Sequence, residues 1–455
     1  MADLPNPTVA FAEDIQRIGR GPLAAPDVEQ VRRLVLDLLG VSIFGATMPW
    51  SRALATWAGE FRGGGAAPVV GGGFRTTPQV AALVNGSAGH GYELDDTHNA
   101  SMSHPGAVII PAVLSTAAGS GATAMQVYAA IAAGYEAMSR VGMAVNAHAV
   151  ISRGFHPTSL FGAFGAAAGV GALHGFDAAT LACAWGHALS LTGGSMQFSD
   201  EPAGTTVKRL HAGYGAQHGV LAAGMARAGI AAPVRALDGK YGLMALYGSG
   251  ANAGHLQRAP SARLQIHDIS MKPYSCCRLF HSLIDALEEV SDAFTLPLDG
   301  LERIRVRAPE VVFDQHMLRR PRSVMAAQYS LPYVVGATLA YGSRRFDAYR
   351  EDFFDDPRIL ALADKVDGTR DVEIEKDYPA RMGAAVELHF RDGARREALV
   401  MDSRGTPARP LSVEAIEAKG QALIDSAGLR FDVAAARRTL WSMTDGQALV
   451  DLFAG

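Results

Sequence analysis

The chain has 455 residues, and its 41 basic and 45 acidic side chains give a formal net charge of −4. This near-balance argues against a nucleic-acid-binding protein, which usually carries a strongly basic surface, and a hydrophobic content of 49% excludes disorder along the whole chain. The length predicts two or three domains, or one large core with an appendage.

The first 265 or so residues predict one helix after another. In the first clear run, apolar residues recur between residues 31 and 41 with the spacing of one helix face, after a start signal at Pro26 and Asp27 and before Gly45. Similar runs follow at 78–89, 105–118, 124–137, 158–173 and 178–191.

Many of these helices have faces made of Ala and Gly, as in residues 161–169. Gly in a helix costs up to about 1 kcal/mol relative to Ala, so its frequent use needs a compensating reason. We therefore expect helices that are buried and approach one another closely.

The pattern changes after about residue 262. Residues 301–308 and 385–390 alternate apolar and polar side chains, which indicates strands, and a turn at Asp392 and Gly393 leads to a partner strand at 397–400. Helical runs lie at 281–294 and 323–341, and the helical pattern returns from Ser412 to Leu452. The sequence therefore predicts a mainly α protein with an α+β part: a large all-helical domain built from residues 1–265 and 408–455, and a smaller α+β domain, residues 266–407, inserted into it.

The three cysteines, Cys183, Cys276 and Cys277, form no CxxC motif, so we expect a reducing compartment and no disulfide framework. So few cysteines also argue against an iron–sulfur dehydratase, which needs three or four of them as ligands. The N-terminus has no signal-peptide pattern, and no window reaches the roughly 18 apolar residues of a membrane span. These features predict a cytoplasmic protein without a membrane partner.

The densest polar cluster runs from His90 to His104 and holds three carboxylates and three imidazoles within 15 positions. Burying such groups costs several kcal/mol unless they are paired. A metal site, a solvated loop with a helix cap, and a substrate-facing acid/base loop are the three alternatives. The metal site lacks HxH or HExxH spacing, and we favour the acid/base loop.

Two later segments add candidates on predicted helices. His156 precedes Pro157 at a helix start, where a histidine either caps the helix or moves protons. Further on, Lys208 and His211 share one helix face with Gly215 and His218. A cationic stripe interrupted by glycine suits a small anion that approaches the backbone, although a solvated face is the alternative.

A fourth segment, residues 271–281, lies where the helical domain passes into the α+β domain. Lys272, Arg278 and His281 place three hydrogen-bond donors at this junction, and ligand pockets often form between domains. A nucleophilic role for Cys276 or Cys277 has no local signature, so we favour packing for them.

Together the four segments resemble the MmgE/PrpD family, which includes 2-methylcitrate dehydratase, cis-aconitate decarboxylase and iminodisuccinate epimerase. The resemblance implies a large all-helical domain, a smaller α+β domain, a cleft between them, a homodimer and no organic cofactor. It is carried by residues 93–97 with Ser103-His104-Pro105, and by residues 154–158, 208–213 and 272–274.

The resemblance also implies a set of site residues. Where the decarboxylase loop begins with Asp, this chain has Glu93, whose side chain is one methylene longer. The positions that match the cleft residues of decarboxylase-type relatives are Thr97, His104, His156, Lys208, His281 and Tyr333.

Our hypothesis is a cofactor-independent lyase or isomerase of the 2-methylcitrate dehydratase or cis-aconitate decarboxylase type, which transfers a proton at a carbon next to a carboxylate. Its partner would be a small polycarboxylate, with no nucleic acid and no metal. An epimerase of an iminodisuccinate-like amino dicarboxylate and a non-catalytic carboxylate-binding protein are the alternatives. The candidate catalytic residues are His104, His156, Lys208, Asp95, Asp96 and Tyr333, and the candidate substrate-binding residues are Glu93, Thr97, His211, Lys272, Arg278 and His281.

Overall fold

The computed structural model describes residues 6–201, 205–259, 262–314 and 316–454. Their contacts divide the chain into two compact units: Met1–Asp200, Thr206–Ser270 and Ser412–Gly455 form the first, and Glu201–Thr205 and Met271–Leu411 form the second. The predicted fold class, mainly α with a smaller α+β part, is confirmed.

The first unit is built from helices and two short antiparallel strand pairs, β1 with β2 and β3 with β4. Its strands are β1 (Ala67–Pro68), β2 (Arg75–Thr76), β3 (Thr97–His98) and β4 (Ile269–Ser270). Its helices before residue 271 are α1 (Pro7–Arg20), α2 (Ala25–Ala46), α3 (Pro49–Ala58), α4 (Pro78–Gly89), α5 (Gly106–Ala117), α6 (Ala124–Val145), α7 (Ala147–Ser152), α8 (Pro157–Leu173), α9 (Ala178–Leu191), α10 (Val207–Arg227) and α11 (Leu243–Tyr247).

The second unit contains a four-stranded sheet of order β6-β5-β7-β8, in which only the β5–β6 pair is parallel. Its strands are β5 (Leu301–Ala308), β6 (Val366–Arg370), β7 (Ala384–Phe390) and β8 (Arg395–Val400). Its helices are α12 (His281–Val290), α13 (Val311–Asp314), α14 (Val324–Gln328), α15 (Leu331–Tyr341), α16 (Pro357–Ala363) and α17 (Val372–Glu375), and the chain then returns to the first unit as α18 (Val413–Ser426), α19 (Val433–Ser442) and α20 (Gly446–Leu452).

Two predicted helices of the second unit are shorter than their sequence patterns. The run at 281–294 ends at Val290, because Asp292, Ala293 and Phe294 all have positive φ. The run at 323–341 is divided into α14 and α15 at Ser330, whose hydroxyl caps α15 by accepting a hydrogen bond from the Tyr333 N–H group. Local backbone conformation and capping thus set these two boundaries.

Helix α10 packs closely against α8 through glycines, as the small-residue faces predicted. A Cβ atom on Gly215 would lie 3.1 Å from the Cα atom of Gly162. One on Gly219 would lie 2.7 Å from the backbone nitrogen of Ala167 and 2.9 Å from the carbonyl oxygen of Ala163. The glycines therefore allow the two backbones to approach, and this close contact compensates for their low helix propensity.

Among the described residues, no single helix is both long and apolar enough to cross a bilayer. The pair of helical segments Ala25–Ala46 and Pro49–Phe61, bent by 87° relative to each other, meets the length and composition criteria only jointly.

The substitution Gly219→Ala should lower the free energy of unfolding by roughly 1–3 kcal/mol, the usual cost of overpacking, because the new methyl group meets backbone atoms. Gly224→Ala on the same helix is the matched control. Gly224 is exposed and a Cβ atom there meets nothing within 4 Å, so this change should stabilise by up to about 1 kcal/mol. Urea unfolding measures both, and equal effects would contradict the close α8–α10 contact.

Candidate active site

The polar loop between α4 and α5 is buried in the first unit rather than solvated. His90, Glu93, Asp95, Asp96 and His98 are each no more than 4% exposed. A solvated loop is therefore excluded, and every charge in this segment needs a partner within the protein.

Asp95 joins two of the histidines. Its Oδ2 atom lies 2.7 Å from Nδ1 of His90 and 3.5 Å from Nδ1 of His104. Nδ1 of His104 is also 2.8 Å from the carbonyl oxygen of Asp96, and because a carbonyl only accepts, this nitrogen carries the proton. In the neutral ring, Nε2 of His104 is therefore the nitrogen without a proton.

The imidazole rings form a continuous row. The ring centre of His90 lies 5.0 Å from that of His104 and 5.9 Å from that of His156. His156 in turn contacts His211, and the Nδ1 atoms of the two rings are 3.0 Å apart. Since one of these two nitrogens must donate, the tautomers of His156 and His211 are coupled.

His156 and His211 are held in their neutral forms. Burial, reinforced by the positive charge of Lys208, lowers the pKa of His156 well below the ordinary value. Burial likewise lowers the pKa of His211 to about 4. Both rings are therefore uncharged near pH 7, where they can take part in hydrogen bonds but do not hold an anion by charge.

Lys208 and Arg209, in the first turn of α10, share one carboxylate. Arg209 Nη1 donates to Oε1 of Glu93 at 2.8 Å, and Lys208 Nζ forms an ion pair with the same oxygen. All three side chains are buried, and Glu93 adopts a left-handed backbone conformation (φ 56°) that is uncommon for a residue other than glycine. Two cations and one carboxylate thus meet at the start of α10.

The Asp96 carboxylate has different contacts from that of Asp95. It accepts hydrogen bonds from the Gly106 N–H group at 2.8 Å and from the Tyr135 hydroxyl at 2.7 Å, so it fixes the start of α5. Its burial raises the pKa of Asp96 to about 7, although these two hydrogen bonds oppose the rise. Thr97, the next residue, places its hydroxyl oxygen 3.4 Å from Nδ1 of His104.

The other predicted site residues belong to the second unit. Lys272, Arg278 and His281 are buried, and burial lowers the pKa of Arg278 to about 10. The His281 ring lies edge-on to Tyr274, with ring centres 5.3 Å apart. The hydroxyl of Tyr333 is 2.9 Å from two main-chain carbonyl oxygens, so its hydrogen bond is directed to the backbone. The site roles assigned to these four residues stay predictions.

Three residues of the cluster were absent from the predicted set: His90, Arg209 and Tyr135. His90 begins the same polar segment, and Arg209 directly follows Lys208. Both are close to predicted residues in sequence, but no spacing in the sequence indicates which residues they contact. Tyr135 lies 39 residues from Asp96, and its contact is a product of the tertiary fold.

His90, Asp95 and His104 could also hold a metal ion. Each offers one ligand atom, and these atoms lie within 4.8 Å of one another. Two imidazoles and a carboxylate are a donor set that suits a divalent cation such as Zn²⁺. The expectation of a metal-free site therefore stays a prediction with a direct test.

Two family models and several known proteins match this chain over most of its length. Family models described as the MmgE/PrpD N-terminal domain and the MmgE/PrpD C-terminal domain match residues 10–255 and 274–439. The cis-aconitate decarboxylase-like protein oryM of Aspergillus oryzae is 28% identical over 444 residues, which cover 92% of this chain and 91% of that protein. Cis-aconitate decarboxylases of Aspergillus terreus and Homo sapiens are 27% and 26% identical, over 81% and 91% of this chain and 79% and 87% of their own lengths.

The substitution Asp96→Asn should make folding stability less dependent on pH. The folded chain keeps the Asp96 proton up to a pKa of about 7, against an ordinary value of 3.8. Wild type therefore loses stability as the pH rises from about 4 to about 7, by at most roughly 1.4 kcal/mol per pH unit. The variant cannot ionise here, so its stability relative to wild type should increase across this range in urea unfolding.

Asp177→Asn is the control for this titration. Asp177 is exposed and caps α9, and the hydrogen bond it accepts from the Thr180 N–H group lowers its pKa. A lowered pKa affects stability only as the pH falls below about 4, so the gap between this variant and wild type should stay constant from pH 4.5 to 7.5. A similarly constant gap for Asp96→Asn would contradict the buried, proton-holding carboxyl.

Proposed function

Because the chain belongs to the MmgE/PrpD family, we propose that it is a cofactor-independent lyase that decarboxylates a small unsaturated di- or tricarboxylate. Family membership confirms the prediction of an MmgE/PrpD-type enzyme, and its curated relatives named above carry cis-aconitate decarboxylase names. The observation that carries the proposal is the pair of histidines in unlike environments: His104 beside a carboxylate, and His156 buried and near the positive charge of Lys208.

Positive charge would stabilise the anion formed when CO₂ leaves. Breaking the carbon–carbon bond leaves its electron pair on the substrate, where a conjugated carboxylate can accept it as an enediolate. Fixed positive charge lowers the energy of such an intermediate. Lys208 and Arg209, held together at the start of α10 by Glu93, supply that charge.

The reaction then needs a proton on carbon, and we assign its delivery to His104. The Asp95 carboxylate beside this ring stabilises the imidazolium form, and the Asp96 carbonyl fixes the Nδ1 proton, so Nε2–H is the group that donates. Decarboxylation removes no proton from the substrate, so the neutral His156 would serve it as a hydrogen-bond partner, and it would accept a proton from carbon only in dehydration or epimerisation. Two groups of the same type whose surroundings give them different pKa values often serve as the acid and the base of one reaction.

The reaction type is tested with cis-aconitate, 2-methylcitrate, citrate and iminodisuccinate in deuterated water, followed by NMR. We expect one substrate to lose CO₂ and its product to gain one deuterium on carbon. Loss of water instead would establish a dehydratase, and deuterium exchange with inversion of configuration would establish an epimerase. Binding without any chemical change would support a carboxylate-binding protein and overturn the proposal.

His104→Gln should lower kcat by roughly 10²–10⁴-fold, the usual weight of general acid–base catalysis, and His156→Gln should do the same if the reaction removes a proton from carbon. Lys208→Met should act mainly by raising KM, because it removes charge that attracts the substrate in its ground state and its transition state. His148→Gln, at an exposed position of α7, is the control and should change neither constant. If both histidine variants kept turnover while Lys208→Met abolished it, Lys208 would be the proton-transfer residue.

Exhaustive chelation with EDTA should leave the activity unchanged, since the proposed steps use only side chains. The assay compares kcat before and after chelation and after addition of Zn²⁺, Mn²⁺ or Mg²⁺. Activity that is lost and then restored by one ion would assign His90, Asp95 and His104 to a catalytic metal centre.

A further inference from the structure

A cavity of about 380 Å³ lies beside His156 within the first unit. It is bounded by the segment that follows α9 and by one face of α10. Two of its lining side chains, His211 and Phe198, also contact His156: His211 through the Nδ1 pair, and Phe198 with its ring edge-on at 6.0 Å. The cavity therefore adjoins the row of imidazoles and is separated from His156 by the rings of His211 and Phe198.

Two consecutive glycines contribute to the free volume. A Cβ atom on Gly193 would meet nothing within 4 Å, so the space in front of this residue is open. Gly194 has a φ of 112°, and a Cβ atom there would lie 2.6 Å from Cβ of Ser159, so this position requires glycine. The backbone at Gly194 can thus pass close to Ser159 near the start of α8. Neither glycine places a side chain in the cavity.

The cavity wall carries no formal charge. None of the described residues that line it is an acid, a lysine or an arginine. Its two histidines are neutral near pH 7, since burial lowers the pKa of His211 to about 4 and also lowers that of His218. A carboxylate moved into this space would lose its water without gaining a cation, which is unfavourable.

Apolar groups are better suited to this space. Leu191, Phe198 and Val207 form the apolar part of the wall, and Ser159, Ser195, Gln197 and Tyr214 add uncharged polar groups. Each methylene buried there would increase affinity roughly fourfold. The volume also falls within the usual range of small-molecule sites, about 300–1,000 Å³.

We propose that this cavity receives an uncharged, apolar arm of the substrate. The substrate would then be an alkyl- or aryl-substituted di- or tricarboxylate, with its carboxylates near Lys208 and its arm beyond His211 and Phe198. This inference rests on the proposed function, since that function places the substrate at the row of imidazoles to which His156 belongs.

The test is calorimetric binding of two unreactive probes, succinate and 2-pentylsuccinate, to the full-length protein. We expect the pentyl probe to bind at least tenfold more tightly to wild type. Gly193→Phe fills the open space, and Val207→Asp introduces a charge into the wall. Each should bring the ratio of the two affinities toward one, and the second variant guards against misfolding of the first.

Gly59→Phe is the matched control, because its Cβ atom also meets nothing within 4 Å but the residue lies outside the cavity lining. It should keep the wild-type preference for the pentyl probe. Equal affinities of wild type for the two probes, or a preference that survives both cavity variants, would overturn this inference and leave the proposed reaction standing. If neither probe bound at all, the result would count against both the proposed function and this inference.

Discussion

The burial of a charged loop among apolar helices is the constraint on which this site depends. Every ionic group in that loop must find its partner inside the protein, because an unpaired buried charge costs several kcal/mol. Lys419 on α18 donates to Oδ1 of Asp37 at 2.8 Å and to the carbonyl oxygen of Leu94 at 2.9 Å. Glu93 is held from the other side by the first turn of α10. Helices distant in sequence thus fix the loop that carries His90 and its neighbours.

The same burial produces the chemical properties of the site. Removal from water disfavours whichever form of a group is charged, so it raises the pKa of Asp37 and Asp96 and lowers that of His156 and His211. The fold therefore needs no special residue to obtain neutral imidazoles near neutral pH. It obtains them by placing ordinary histidines where solvent does not reach. Asp95 lies beside His90 and His104, so the electrostatic surroundings of this end of the row differ from those of the end at His211.

Sequence was informative where the governing interactions are local. Helices α4 and α9 and strand β5 begin and end at the predicted residues, because periodicity and caps are properties of neighbouring residues. The positive φ angles that end α12 fall on Asp, Ala and Phe, which carry no such signal. Residue patterns singled out His104, His156 and Lys208, and the resemblance to a family then matched them to cleft positions. Their partners could not be predicted: Lys208 and Glu93 are 115 residues apart, and only the packed helices bring them together.

The position of Lys419 has a consequence for how the protein is made. The residue lies 325 positions after Leu94, whose carbonyl oxygen it contacts. As the chain leaves the ribosome, all the histidines of the row emerge long before α18, and until then the Asp37 carboxylate lacks its cation. Domains commonly fold during synthesis from the N-terminus onward. Here the first unit cannot be completed before α18 has been synthesised, so the polar loop acquires its full set of contacts only after that helix has formed.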